Sequence, residues 1–131
     1  MDDKILQDLL VQQKKKYIQL TEVLNVTVQM ADAVERDDNV SMSLLIAMRQ
    51  EPLLLIDEIQ QVVGERLESL SAGTAAHLRA LLTGRGTEKA APEEQALDDQ
   101  CQMNFRLLNR IVMIDKRLNK KVGKGQSYYK D

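Results

Sequence analysis

Two side chains in this sequence have the intrinsic chemistry of a catalytic or group-transfer centre: His77, the only histidine, and Cys101, the only cysteine. A ferritin-like di-iron site needs Glu-x-x-His on one helix face, repeated on a second helix, because ligands three residues apart project the same way. The residue three before His77 is Thr74, so that site is excluded. Zinc is excluded by the same shortage of Cys and His. Nucleophilic catalysis through Cys101 needs a basic partner to hold the thiolate, and His77 is the single candidate. A Cys at an inward helix position reads better as a small buried hydrophobe. His77 lies in AHLRALL, only a loose match to the histidine-phosphotransfer pattern, in which a small residue and a Lys follow the His at set spacing. The expected state is a histidine on, or partly packed against, a helix surface. No glycine-rich phosphate loop follows a strand, and no strand is expected at all. The chain is therefore expected not to be an enzyme and to hold no metal or cofactor.

Charged residues divide into surface runs and seam positions. Lys14, Lys15 and Lys16 wrap around most of a helical turn with no aromatic cluster beside them, so solvated helix surface is expected, not a nucleic-acid contact. Arg106, Arg110, Lys116, Arg117, Lys120, Lys121 and Lys124 form a denser basic end that either faces an acidic partner or satisfies the last carbonyls of a helix. Arg49, Arg66, Asn104 and Asp115 carry more information, because they occupy positions where apolar side chains would pack better. A charge left unpaired there is costly. They are expected to pair and to set helix register, with Arg49 meeting Asp115.

Helices must position these groups. Hydrophobic residues make up 44% of the 131, but aromatics only 3%, and a core of Leu, Ile, Val, Met and Ala suits helices packed side by side. The 18 basic and 20 acidic side chains leave a net charge of −2, so no overall field draws nucleic acid or an anionic membrane. No apolar run approaches the roughly 20 residues that span a bilayer, and no leader pattern opens the chain. With a single Cys, these features make the cytoplasm the expected compartment.

Leu6, Leu10, Gln13, Tyr17, Leu20, Leu24, Thr27, Ala31 and Val34 alternate spacings of four and three, which predicts a helix over about 3–35. Leu9, Val23 and Met30 widen the stripe, so this helix should pack against two neighbours. The residues at 36–39 turn the chain, with Ser41 expected to cap a second helix over 41–70 and Asn39 competing for the cap. A connection this short makes an antiparallel αα-hairpin. Pro52 removes a donor from the second helix at a cost of about 3 kcal/mol. The seam keeps its phase across Pro52, which favours one kinked helix over a new start. A short helix is expected over 74–83, a flexible connector over 84–92, a long helix over 93–122 opened by Pro92, and a polar tail over 123–131. The fold class is all-α: an elongated antiparallel helical bundle of three long helices and one short one, in a single domain.

The stretch at 32–52, DAVERDDNVSMSLLIAMRQEP, resembles the hairpin of flagellar type III export chaperones of the FlgN family. A small residue, Ala33, precedes the short acidic turn at 36–39, and Arg49 follows the Leu44 and Leu45 pair by about one turn. The tail GKGQSYYKD is similar to the Gly- and Tyr-containing tails of such chains, whereas Pro52 departs from the family pattern. The resemblance implies a cytoplasmic chaperone that binds the C-terminal helical segment of secreted hook-filament junction proteins and brings them to the export apparatus. Physically this is helix-in-groove recognition. Met48, Met103 and Met113 are expected to line the groove with adaptable thioethers, joined by Leu107, Ile114 and Leu118, and the C-terminal helix could cover it until a partner replaces it. The alternatives from other classes are a helical adaptor or self-associating coiled-coil protein, hence a homo-oligomer, and more remotely a histidine phosphotransfer module.

Overall fold

The alternating four-and-three period of the first segment becomes one uninterrupted helix, α1 (Asp3–Glu35), in the computed structural model, which describes residues 3–86 and 90–122. At 1.5 Å per residue its 33 residues reach about 50 Å. Asp37 takes a left-handed backbone conformation, φ 52°, and the chain reverses within three residues. The cap of α2 (Asn39–Glu68) is Asp38, not Ser41: its Oδ1 accepts from the Ser41 backbone N–H at 3.0 Å and its Oδ2 from the Ser41 hydroxyl at 2.6 Å. Ser41 is thus the residue capped, and those donated bonds hold the Asp38 carboxyl below the usual carboxylate range. Asp combines an acceptor with the negative charge that suits a helix N-terminus. Pro52 lies inside α2, which continues through it to Glu68 without a new start.

Ser71 caps the short helix α3 (Ala72–Leu82), which ends at Thr83 and Gly84. Pro92 opens a 3-10 turn, Pro92–Glu94, that leads into α4 (Gln95–Val122). Among the described residues there is no strand. Residues 87–89 of the expected connector, and the expected tail at 123–131 with Tyr128 and Tyr129, lie outside the described residues, as does Lys124.

Both α2 and α4 pack along α1, which explains why its apolar stripe is broad. The core is built in three apolar layers. Leu6 and Leu9 of α1 meet Val63 and Leu67 of α2, Leu78 and Leu81 of α3, and Leu97 and Cys101 of α4 at the base. Leu20, Val23 and Leu24 meet Ile56 and Ile111 in the middle. Met30, Ala33 and Val34 meet Met42, Leu45, Leu118 and Val122 at the hairpin end. These pairings run α2 antiparallel to α1 and α4 parallel to it.

A polar layer separates each pair of apolar layers. Between base and middle, the buried Asn104 amide donates to the Gln13 backbone carbonyl at 2.9 Å and to Gln13 Oε1 at 3.1 Å, and accepts from Gln100. Between middle and hairpin end, Arg49 of α2 donates to Asp115 of α4 at 2.8 Å and to Thr27 of α1 at 3.0 Å. The expected approach of Arg49 and Asp115 is therefore observed. Arg66 pairs instead at the rim, with Asp8 at 2.6 Å. A one-turn slip of α4 along α1 would bury these polar atoms against Leu and Ile, so the layers set register. Asn104→Ala strands the buried Gln13 groups and is expected to lower the unfolding free energy by about 2 kcal/mol, read from urea denaturation.

Candidate functional site

The two side chains with intrinsic chemistry are both engaged in structure. Cys101 is buried in the base layer, and burial pushes its thiol up to about 12, so at neutral pH it is protonated and packs as a hydrophobe. His77 Nε2 lies 2.8 Å from Oε2 of the buried Glu94, tying α3 to the 3-10 turn before α4. Oε1 of Glu94 accepts from the Ala91 backbone N–H at 3.0 Å. Burial pushes the Glu94 carboxyl up, but the Ala91 N–H and His77 outweigh it and hold the group below its ordinary 4.5. Among the described residues no group of three or more His, Cys, Asp or Glu is placed to hold a metal ion.

A depressed carboxylate stabilises the fold above its unfolded-state pKa, and that contribution disappears as the pH falls through the folded-state value. Unfolding free energy should therefore drop on acidification below about pH 4.5, and Glu94→Gln should flatten that limb while lowering stability at pH 7. Urea denaturation of both chains across this range checks it.

The basic run at the start behaves as helix surface: Lys14 and Lys15 are exposed, and Lys16 is partly buried, with burial lowering its ammonium pKa. The described members of the C-terminal basic set, Arg106, Arg110, Lys116, Arg117, Lys120 and Lys121, lie on α4, where Lys121 pairs with Glu35 of α1.

The more distinctive surface combines an apolar strip with polar and charged side chains at its edges. One flank of the α1–α2 hairpin carries three successive hollows of about 340, 510 and 630 Å³. The first, at the hairpin end, is walled by Leu44, Leu45 and Met48 against Gln29, Asp32 and Arg36. The second sets Leu55, Ile59 and Val62, with Glu58 and Arg66, against Gln12, Lys15, Ile18 and Gln19, and the third sets Leu70, Arg66 and Ser69 against Lys4, Ile5, Gln7, Asp8 and Val11. No α4 residue lines any of them. Ile18, Leu44 and Met48 are 59%, 60% and 59% exposed, large values for side chains of this size. The heptad-like phase of α2 explains the groove. Its core row is 42, 45, 49, 56, 63 and 67, and the row 44, 48, 55 and 62 lies on the next flank, half-wetted and without a partner helix.

The six residues expected to line a groove do not share one. Met48 belongs to the α1–α2 flank. Ile114 and Leu118 border a separate hollow of about 310 Å³ between α1 and α4, with Val28, Ala31 and Val34, and Leu118 is itself core. Leu107 packs on the middle layer, while Met103 and Met113 are exposed on α4. Ile18, Leu55 and Val62 lie outside that expected set, because a β-branched or Leu side chain at helical spacing reads as core as readily as surface. The apolar row one flank away from the α2 seam was the available signal.

α4 contributes Leu97, Cys101, Ile111, Leu118 and Val122 to the core, so it is docked over its length and not a cover for the α1–α2 flank. None of the described helices is long and apolar enough to cross a membrane. No protein-family model, no curated protein and no solved structure matches this chain.

Proposed function

We propose that this chain is a cytoplasmic, non-enzymatic export chaperone of the flagellar type, which holds the C-terminal helical segment of a hook-filament junction protein along the α1–α2 flank. The single observation that carries it is the open groove between two long helices, with an apolar strip of Ile18, Leu44, Met48, Leu55 and Ile59 running between polar edges. Such a groove accepts the apolar face of an amphipathic helix, which places anchors at i, i+3/4 and i+7. The resemblance supplies the client class, and of the stretch that carries it Arg36, Ser41, Leu44, Leu45 and Met48 line the hairpin end of the same groove, while Ala33 and Arg49 are turned into the bundle.

The test is co-purification of the folded chain with a hook-filament junction protein from a flagellated cell lysate, followed by affinity measurement with the client's C-terminal peptide. Recovery of the client, with Ile18→Glu and Leu55→Glu each weakening the peptide at least about tenfold, supports the proposal. Failure of the folded chain to recover any flagellar axial protein rejects the flagellar assignment. The runner-up, a self-associating helical protein, is favoured by the exposure of Leu44 and Met48, which a second copy would cover. Light scattering during size exclusion separates the two.

A further inference from the structure

We infer that the helix seated on the α1–α2 flank carries a row of lysines or arginines along the edge of its apolar stripe that faces α2. This rests on the groove reading above and adds the partner's charge pattern. Glu51, Glu58 and Glu65 are exposed on α2 at intervals of seven residues, beside Met48, Leu55 and Val62 at the same interval. Seven residues are nearly two full turns, so both rows run along one flank of the helix, side by side. The acidic row therefore borders the apolar wall of the groove for about 20 Å.

No ion pair engages these three glutamates among the described residues, although Asp8, Glu35, Asp38, Glu94 and Asp115 are all paired. The facing wall differs. In the second hollow α1 presents Gln12, Lys15 and Gln19 and no carboxylate, and Arg66, the one cation α2 adds to that lining, is paired with Asp8 at 2.6 Å. In this hollow carboxylates edge the α2 wall while Lys15 stands on the α1 wall, and that difference in sign distinguishes the two edges of an incoming helix and so fixes its rotation as well as its depth. Lysine and arginine suit the α2 edge because their apolar stems lie over Leu55 and Val62 while their charged ends reach the carboxylates. Exposed pairs are individually weak, but three along one edge discriminate against a helix carrying the opposite charge.

The experiment uses the full chain and three synthetic amphipathic helical peptides of one length and one leucine stripe, with Lys, Gln or Glu along one edge. Fluorescence anisotropy at low and high salt reads their binding. The Lys-edged peptide should bind about tenfold tighter than the Glu-edged one at low salt, with the gap shrinking at high salt. Combined Glu51→Lys, Glu58→Lys and Glu65→Lys should invert the order while leaving the helical circular dichroism and melting unchanged. Equal affinity for the Lys and Glu peptides overturns the charge inference and leaves the groove standing, as does a preference that survives the triple reversal. Failure of every peptide to bind, or binding that Ile18→Glu leaves intact, overturns the groove itself. A dimer that light scattering detects and the triple reversal dissolves reassigns the acidic wall to a second copy and overturns the inference.

Discussion

Gly84→Ala is expected to cost about 3 kcal/mol of unfolding free energy, a large share of the total for a domain of this size. Gly84 holds φ +71°, where an L-residue loses about 1–2 kcal/mol because its Cβ crowds the following carbonyl. A Cβ there would also meet the Cys101 backbone carbonyl, and would lie 2.8 Å from Phe105 Cβ. Neither obstacle is the free end of a long side chain, so relief requires α4 to move off α3, and overpacking of this kind adds about 1–3 kcal/mol. Gly86 is the internal control: its φ is +84°, and a Cβ there has nothing closer than the Gln102 amide at 3.9 Å. Gly86→Ala should therefore cost only the backbone part, about 1 kcal/mol. Urea denaturation of both variants measures the difference, and equal losses would show that α3 and α4 do not approach as described. The start of the expected flexible connector is thus a fixed point, where a missing side chain lets the end of α3 rest on the backbone of α4.

That contrast shows which features of the chain its sequence makes legible. The four-and-three spacing of Leu6 through Val34 could be met only by a helix burying a broad stripe, and α1 has both the expected bounds and two neighbours. The pairing of Arg49 with Asp115 was equally accessible, because a charge in a seam must find its opposite within the bundle. Gly84 opens the expected connector because glycine marks turns, but only the approach of a second backbone distinguishes a pinned glycine from a free one. Capping misled for a related reason. Asp38, Asn39 and Ser41 are all good caps, and the left-handed Asp37 decided among them. The groove was less visible still. Met48 was recognisable as adaptable, but the surface it joins depends on which flank of α2 is left without a helix, and that is set by where α4 docks.

Asp115→Ala is expected to cost about 3 kcal/mol, the lower end of the range for breaking a largely buried ion pair, because Asp115 retains about a third of its exposure. What makes the loss large is the partner. Arg49 is 11% exposed, and without Asp115 its guanidinium keeps only the Thr27 hydroxyl, which is already donating to the Val23 carbonyl at 2.6 Å. Removing both charges, as Arg49→Met with Asp115→Leu, leaves nothing stranded and should return stability to within about 1 kcal/mol of the parent. The double-mutant cycle, completed by Arg49→Met and Asp115→Leu alone, is therefore the decisive measurement, and a double variant whose loss equals the sum of the two single losses would show that the pair is not coupled. The pair has a second consequence. The backbones of α2 and α4 stay apart, so these helices meet only through side chains, in the shared apolar layers and in this hydrogen-bonded ion pair. Leu53 on α2, and Leu108 and Val112 on α4, are all more than a third exposed. An apolar replacement that restores stability should accordingly loosen register: the double variant is expected to unfold at a similar midpoint but with faster amide exchange in α4, the helix whose alignment the Arg49–Asp115–Thr27 layer sets.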